Sequence, residues 1–259
     1  MNIKSIRVFL FDLDGTLCVG KENPRYLGGK QLVKKLNDLG RKTFILTNDS
    51  THLREEIHRN LTKLGFSFAI DEVLTASYLT ASYLTERFGN ASFYLIGESG
   101  LRQELEAAGH HASAEPEVVV VGLDRQLSYE KLDKGMRLLR GGARLIGSYG
   151  GSVYMSDSGP ALSAGAIIRA LEFASGKKAV MIGKPSPRMF TFALQLAKEK
   201  TNKAVMIGDQ IETDLAGARK AGVHTILVLT GVETRESVNR SKIKPEMIIE
   251  NLKVLETLL

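Results

Sequence analysis

Residues 7–17 read RVFLFDLDGTL, an apolar run that ends in two aspartates and a glycine. A short apolar run closed by a turn signal is typical of a buried strand. A helical pattern follows at residues 31–39. The two together predict the first strand and helix of a parallel α/β sheet.

The same alternation of short apolar runs and helical stretches continues to the end of the chain. Further strands are expected at Thr43–Leu46, Phe93–Ile96, Val118–Val121, Arg144–Ile146, Ala179–Ile182, Ala204–Ile207, Thr225–Leu229 and Met247–Ile249. A last helix is expected at residues 252–259, where leucines recur at spacings of three and four. This number of strands is large for a single open sheet, and we therefore expect an α/β fold with two sheets and two domains.

Length and composition limit the class of protein. The chain has 259 residues, 43% of them hydrophobic and 25% charged, which is typical of a globular protein with a real core. Its apolar runs are far shorter than the roughly 20 residues that a membrane-spanning helix needs. The N-terminal run also lacks the length and cleavage site of a signal peptide. We therefore expect a cytoplasmic protein with no membrane partner.

Cysteine content and charge exclude further classes. Cys18 is the single cysteine, so neither an intramolecular disulfide nor a zinc site built on cysteines can form. The net charge is +6, but the basic residues are scattered and form no dense run. We therefore expect no nucleic-acid partner, whereas a small anionic substrate fits this charge.

Asp12 and Asp14 stand where the first predicted strand ends. In an open α/β fold, groups at the carboxyl end of a strand face the ligand crevice. Side-chain alternation points both aspartates to the same side, and carboxylates that close repel unless a cation or a proton separates them. A pair in which one carboxylate is ionised and the other keeps its proton suits a nucleophile beside a general acid.

Other strand ends carry polar residues of a complementary kind. Asp209 follows the strand at 204–207, and Asp214 comes five residues later; both offer hard oxygen ligands of the kind that bind Mg²⁺. Thr47 and Asn48 end the second strand, and Lys184 follows the strand at 179–182. A hydroxyl donor and a fixed positive charge there suit the binding of phosphate.

These four pieces resemble, in order, the four motifs of the haloacid dehalogenase superfamily of phosphohydrolases. DLDGTL at 12–17 is similar to the first motif, LTN at 46–48 to the second, GKPSP at 183–187 to the third and GDQIETD at 208–214 to the fourth. The long segment between the second and third motifs, including VVVGLDRQLSYEKL at 119–132, looks like the large α/β cap of the NagD-like, nitrophenylphosphatase branch (subfamily IIA).

The resemblance implies a Rossmann-like parallel-sheet core with an inserted α/β cap domain. The catalytic core would comprise residues 1–77 and 180–259, and the cap, which chooses the substrate, would comprise residues 78–179. The resemblance also leaves open a homodimer formed through the cap.

Carried over motif by motif, the resemblance implies a role for each residue of the site. Asp12 would attack phosphorus to give an aspartyl-phosphate, and Asp14 would protonate the leaving group and then activate water. Thr47, Asn48 and Lys184 would hold the phosphoryl oxygens.

The resemblance also implies a Mg²⁺ cofactor. The ion would be held by the carboxylates of Asp12 and Asp209 and by the backbone carbonyl of Asp14, with Asp214 as a ligand or an anchor. The expected activity is hydrolysis of a small-molecule phosphate monoester, with p-nitrophenyl phosphate, phosphoglycolate, a nucleotide or a sugar phosphate as candidates.

The chain differs from the branch in two places. Where the branch usually has a second Asn after Asn48, this chain has Asp49, which either weakens phosphate binding or caps the helix that follows Ser50. In the cap, the stretch 146–151 replaces the branch's usual Ala-Thr-Asn-x-Asp. Tyr149 is the one bulky side chain of that Gly- and Ser-rich loop and is our candidate for a contact with the leaving group.

Competing functions make different demands on these residues. A haloacid dehalogenase has no need of the second acid, so Asp14 argues against it. The length and the cap-sized insertion disfavour a two-component receiver. The remaining alternative is a phosphate-responsive binding or scaffolding protein with little turnover, and Asp49 is the one local feature that favours it.

Overall fold

The computed structural model describes residues 1–20, 24–156 and 159–259. Within these ranges the strands are β1 (Val8–Phe11), β2 (Cys18–Val19), β3 (Arg25–Tyr26), β4 (Lys42–Thr47), β5 (Val73–Thr75), β6 (Ser92–Ile96), β7 (His111–Ala112), β8 (Val118–Val121), β9 (Arg144–Gly147), β10 (Val153–Ser156), β11 (Gly159–Leu162), β12 (Val180–Met181), β13 (Ala204–Gly208), β14 (His224–Val228) and β15 (Met247–Ile249).

The α-helices of the same ranges alternate with these strands. They are α1 (Lys30–Asp38), α2 (Arg54–Lys63), α3 (Ala76–Phe88), α4 (Ser99–Ala107), α5 (Tyr129–Arg140), α6 (Ala164–Ser175), α7 (Arg188–Ala197), α8 (Ala216–Lys220), α9 (Arg235–Arg240) and α10 (Lys253–Leu258). None of the described helices combines the length and the apolar character needed to cross a bilayer.

Packing divides the chain into two compact units. The first unit comprises Met1–Thr47, Glu55–Leu74 and Pro187–Leu259. The second comprises Asn48–Arg54 and Thr75–Ser186. Each unit is built around its own parallel sheet.

The first unit contains a six-stranded sheet in the order β15-β14-β13-β1-β4-β5, with parallel pairing from β15 through β4. Phe11, the last residue of β1, pairs with Ile207 on one side and Ile45 on the other. The carboxyl ends of the three central strands therefore lie level. All four residues of β1 are buried, as expected for a parallel strand covered on both faces.

Two helices of the first unit show how the sequence covers this sheet. In α1, Leu32, Val33 and Leu36 share one buried face, and each fully buried aliphatic side chain contributes roughly 1.5–3 kcal/mol. In α8, Ala216 and Ala218 are buried. Small side chains of this kind let a helix approach a sheet closely.

The second unit contains a five-stranded parallel sheet in the order β12-β9-β8-β6-β7. Its central strand β8 is four consecutive valines, all of them buried. Helix α5 begins after Ser128, whose side chain accepts a hydrogen bond from the N–H of Lys131, a typical N-cap.

The predicted α/β class with two sheets is confirmed, and nine predicted strands coincide with β1, β4, β6, β8, β9, β12, β13, β14 and β15. Sequence patterns missed the antiparallel hairpins β2–β3 and β10–β11 and the short strands β5 and β7. Short strands were predicted where they lie in a clear apolar run, as β8 and β12 do, whereas missed strands such as Arg25–Tyr26 and His111–Ala112 contain charged or polar residues and lie in no such run.

Candidate active site

The carboxylates of Asp12, Asp209 and Asp214 meet where β1 and β13 end, and we call them the acidic cluster. One oxygen from each lies within 4.8 Å of the other two. All three residues are buried, with 5%, 0% and 0% of their surface exposed. Sheet register explains this meeting, because the N–H of Asp12 donates to the carbonyl of Ile207 at 2.9 Å and so continues the pairing of β1 with β13.

Three glycines lie where any larger residue would collide with the side chains of the acidic cluster. A Cβ at Gly15 would lie 2.7 Å from Asp209 Cγ, one at Gly231 would lie 2.7 Å from Asp209 Cβ, and one at Gly208 would lie 2.7 Å from Asp214 Cβ. Real Cβ atoms do not approach other atoms closer than 3.0 Å. Gly15 also has φ +83°, a left-handed conformation that favours glycine.

Backbone N–H groups orient two of the carboxylates. The N–H of Val232 donates to Asp209 Oδ2 at 2.8 Å, and the N–H of Gln210 donates to Asp214 Oδ2 at 3.1 Å. Asp214 lies in a π-helical turn, Ile211–Leu215, directly before α8. Hydrogen bonds of this kind favour the ionised form of a carboxylate.

The acidic cluster has the chemistry of a site for a small divalent cation. Two unit charges 4 Å apart repel by roughly 4 kcal/mol at an effective dielectric constant of 20, and three buried carboxylates multiply that cost. A cation removes it, and carboxylate oxygens are the ligands that Mg²⁺ prefers. Because the three glycines give the Asp209 and Asp214 side chains room to approach Asp12, the residues present fit such an ion.

Asp14 lies two residues beyond Asp12 and is half-buried. Its carboxylate is not among the three that meet, and its backbone forms an isolated bridge with Cys18. Burial first, and then the charges of Asp14 and Asp12, raise the pKa of the Cys18 thiol to about 12. The thiol is therefore neutral at physiological pH and sits in a negative field.

The predicted phosphate-binding residues fall in both units. Thr47 ends β4, beside β1 in the first unit, and is buried. Asn48 and Lys184 lie in the second unit and are joined by two hydrogen bonds: the N–H of Lys184 donates to Asn48 Oδ1 at 2.9 Å, and Asn48 Nδ2 donates to the carbonyl of Lys184 at 3.1 Å. The amide of Asn48 thus holds the backbone of Lys184 in place.

Lys184 and the loop around it are closely packed within the second unit. Only 1% of Lys184 is exposed. The N–H of Gly183 donates to the carbonyl of Ser148 at 2.7 Å, and a Cβ at Gly183 would lie 2.6 Å from Asn48 Oδ1. The loop after β9 and the loop after β12 therefore support each other.

Asp49 is engaged in local hydrogen bonds. Its Oδ1 accepts from the N–H and the hydroxyl of Thr51, both at 2.7 Å, and its Oδ2 lies 2.9 Å from His52 Nδ1. These contacts shape the turn before α2. Whether Asp49 also caps the helix after Ser50 or weakens phosphate binding stays a prediction.

Tyr149 is buried, with 8% of its surface exposed. Its hydroxyl lies 2.7 Å from the hydroxyl of Ser163, within the same unit. A contact between Tyr149 and a leaving group stays a prediction.

Sequence reasoning missed two residues that shape the acidic cluster, Gly231 and Val232. Both come shortly after β14, where the sequence reads Leu229-Thr230-Gly231-Val232. The strand-end rule that identified Asp209 applies equally to this strand and was the available signal.

Comparisons with known proteins give the chain a family. The model of haloacid dehalogenase-like hydrolases matches residues 9–111, and a second HAD-hydrolase-like model matches residues 181–255. The chain is 32% identical to the 5'-nucleotidase YutF of Bacillus subtilis, with 96% of this chain and 97% of that protein covered.

Two further relatives have similar coverage. An acid sugar phosphatase of Staphylococcus saprophyticus is 32% identical, with 96% of each chain covered. The crystal structure of a 4-nitrophenylphosphatase from Thermotoga maritima superposes with a TM-score of 0.92 at 32% identity, covering 99% of this chain and 98% of that one.

Proposed function

The chain belongs to the haloacid dehalogenase superfamily, in its NagD-like, nitrophenylphosphatase branch, and is a phosphatase; we propose that it is a Mg²⁺-dependent enzyme that cleaves small-molecule phosphate monoesters through an aspartyl-phosphate. One observation carries the proposal. Asp12, Asp209 and Asp214 offer oxygens within 4.8 Å of one another, in a space kept open by glycines.

In the first step, a carboxylate oxygen of Asp12 attacks phosphorus. The new bond forms as the bond between phosphorus and the ester oxygen breaks, and Asp14 gives its proton to the departing oxygen. The half-buried position of Asp14, outside the acidic cluster, supports this division of labour. In the second step Asp14 takes a proton from water, the water oxygen attacks phosphorus, and the carboxylate of Asp12 leaves with release of inorganic phosphate.

Thr47, Asn48 and Lys184 bind the phosphoryl oxygens in this scheme. A lysine charge and a threonine hydroxyl supply donors to the equatorial oxygens, whose charge the reaction redistributes. The two hydrogen bonds between Asn48 and the Lys184 backbone support a role for Asn48 that includes holding Lys184.

The residues that would hold Mg²⁺ are the carboxylates of Asp12 and Asp209 and the backbone carbonyl of Asp14, with Asp214 as a ligand or an anchor. When bound, Mg²⁺ offsets the repulsion between an anionic nucleophile and a phosphate dianion. Asp209 is supported in this role by its hydrogen bond from Val232.

We assign catalysis to residues 1–77 and 180–259 and choice of substrate to the cap, residues 78–179. The relatives' names, 5'-nucleotidase, acid sugar phosphatase and 4-nitrophenylphosphatase, make nucleotides, sugar phosphates and aryl phosphates the substrates to test first. The alternative of a scaffolding protein relies on Asp49, and the contacts of both its carboxylate oxygens with Thr51 and His52 support a local role for that residue instead.

The test is hydrolysis of p-nitrophenyl phosphate with Mg²⁺ and after its removal by chelation. Because p-nitrophenolate is a good leaving group, hydrolysis of this ester depends little on contacts with the cap. This substrate therefore reports on the core residues alone. Asp12→Asn removes the nucleophile and should abolish turnover, whereas Asp38→Asn, which breaks an exposed ion pair with Lys34, should not. An Asp12→Asn enzyme that kept most wild-type activity at equal purity would exclude Asp12 as the attacking group.

A further inference from the structure

Residues Thr230–Glu233, which begin two positions after the end of β14, touch the acidic cluster and the loop after β1, and we call them the β14 segment. The hydroxyl of Thr230 donates to the carbonyl of Gly15 at 2.7 Å. The N–H of Val232 donates to Asp209 Oδ2 at 2.8 Å. Glu233 Oε1 accepts from the N–H of Ile211 at 3.3 Å. None of the four sequence motifs includes this segment.

The order of the strands in the sheet shows how these contacts enclose Asp209. Strand β13 lies between β14 and β1, so the hydrogen bond from Thr230 to Gly15 passes over the end of β13. Asp209 directly follows β13 and is therefore enclosed. Gly15 and Gly231 both adjoin its side chain, each so close that a Cβ would lie 2.7 Å from an Asp209 side-chain atom.

We propose that Thr230, Gly231 and Val232 are positioning residues that fix the Asp209 carboxylate and the loop carrying the Asp14 carbonyl in the arrangement that binds Mg²⁺. Thr230 acts through Gly15, the neighbour of Asp14. Gly231 supplies room, and Val232 supplies the N–H that sets the orientation of the Asp209 carboxylate. The inference rests on the proposed Mg²⁺-dependent phosphatase.

Substitution of Gly231 by alanine tests the position of Asp209 directly. It is not among the described glycines with a positive φ, so alanine suits its backbone conformation. The cost of a methyl group there falls on the side chain of Asp209, which must move. Thr230 offers a graded pair, because Thr230→Val removes the hydroxyl with little change of shape and Thr230→Ser keeps it.

The experiment measures Mg²⁺ binding to the whole protein by titration calorimetry, with the melting temperature and p-nitrophenyl phosphate kinetics of each variant alongside. Residues that orient a metal ligand typically change metal affinity about 10- to 100-fold when replaced. We expect Gly231→Ala and Thr230→Val to raise the Kd for Mg²⁺ by about tenfold or more. Thr230→Ser should restore it. Thr62→Val, which removes a comparable bond to the His58 carbonyl in α2, should leave the Kd unchanged.

A merely structural role predicts another pattern, in which the variants melt earlier but bind Mg²⁺ as the wild type does. That pattern, in a wild type that binds Mg²⁺ and turns over, overturns the inference and leaves the proposed function standing. A wild type that neither binds Mg²⁺ nor hydrolyses the ester overturns both. If Gly231→Ala fails to fold, the Thr230→Val and Thr230→Ser pair decides alone.

Discussion

Asp209 in the first unit and Asp124 in the second occupy similar places and have different surroundings. Both are buried acids that follow the apolar central strands of parallel sheets, Asp209 after β13 and Asp124 three residues after β8. Asp124 accepts a hydrogen bond from Gln126 and pairs with Lys131 Nζ at 2.8 Å. Asp209 instead has two further carboxylates within 4.8 Å.

The comparison shows that the parallel sheet alone does not make a site. A strand-end acid whose charge is balanced by a lysine of the helix that follows, as Asp124 is by Lys131, stabilises the loop between strand and helix. A strand-end acid grouped with other acids raises the electrostatic energy of the fold, and that cost is offset when a cation binds. In the proposed function, the metal site is therefore assigned to the end of the six-stranded sheet, where Asp209 lies, and not to the five-stranded sheet, where Lys131 balances the charge of Asp124.

The largest expected effect comes from making the same change at both acids. Asp209→Asn should lower kcat/KM for p-nitrophenyl phosphate by roughly 10³-fold, because metal ions supply several kcal/mol of transition-state stabilisation. Asp124→Asn should leave kcat/KM near the wild-type value and lower the free energy of unfolding by about 1–3 kcal/mol through its weakened bond to Lys131. Steady-state kinetics and urea unfolding of both variants measure this; equal losses of activity would remove the distinction.

The next largest effect is expected from a change at Asp14, whose carboxylate lies outside the acidic cluster. Asp14→Asn should slow esters of poor leaving groups by about 10²–10⁴-fold and p-nitrophenyl phosphate much less, because proton donation matters most when the departing oxygen is basic. Single-turnover rates across esters of graded leaving-group pKa give the measurement. A uniform slowing across the series would contradict the role of Asp14 as the acid.

A smaller effect is expected in the second unit, where Asn48 holds the backbone of Lys184. Asn48→Ala removes two hydrogen bonds, each worth about 1 kcal/mol, and should raise the inhibition constant of inorganic phosphate about tenfold. Asn251→Ala, which removes a bond to the N–H of Lys253, is the matched control and should not change phosphate inhibition. Unchanged phosphate inhibition in Asn48→Ala would mean that the position of Lys184 does not depend on this amide.

Substrate choice is expected to be altered at Tyr149 without loss of the chemistry. Tyr149→Ala should change the rank order of a panel of phosphate esters while p-nitrophenyl phosphate turnover changes little. Tyr149→Phe removes only the hydroxyl that contacts Ser163 and should cost about 1 kcal/mol of unfolding free energy. If the rank order of the panel is the same in wild type and Tyr149→Ala, specificity is determined elsewhere in the cap.

The smallest effect concerns Cys18, beside the acidic end of the first unit. Its folded pKa of about 12 lies above the ordinary value of 9.0, so the stability that this thiol contributes is present below pH 9 and is lost as pH rises toward 12. The wild type should lose stability over that range more steeply than Cys18→Ala, as measured by urea unfolding. Parallel losses in the two proteins would show that the thiol ionises as freely in the folded state as in the unfolded chain.

Much of the fold could be predicted because its central strands are apolar runs long enough to recognise. Val118–Val121 and Ala204–Ile207 are examples. The hairpin of Cys18–Val19 with Arg25–Tyr26 could not be predicted, because neither strand belongs to an apolar run of four residues such as 179–182, and their pairing depends on tertiary contacts. Asp12 and Asp209 were predictable as neighbours, since strand ends in a parallel sheet share one edge.

The parts of the site that could not be predicted depend on contacts between distant parts of the chain. Asn48 and Lys184 are 136 residues apart, and no local pattern specifies the two hydrogen bonds between them. The need for glycine at 231 comes from the side chain of Asp209, which approaches it from another strand. The burial of Tyr149 and the contact of its hydroxyl with Ser163 likewise depend on packing within the second unit.

The central claim is that Asp12, held in the acidic cluster, carries the phosphoryl group, and trapping tests it most directly. Asp14→Asn enzyme, in which water attack is slowed, is mixed with p-nitrophenyl phosphate and Mg²⁺, quenched in acid, reduced with borodeuteride and digested with trypsin. We predict a deuterated homoserine in place of aspartate at position 12, found by mass spectrometry in the peptide of residues 8–21. Turnover with no reduced residue at position 12, or with the label at another aspartate, would contradict the account.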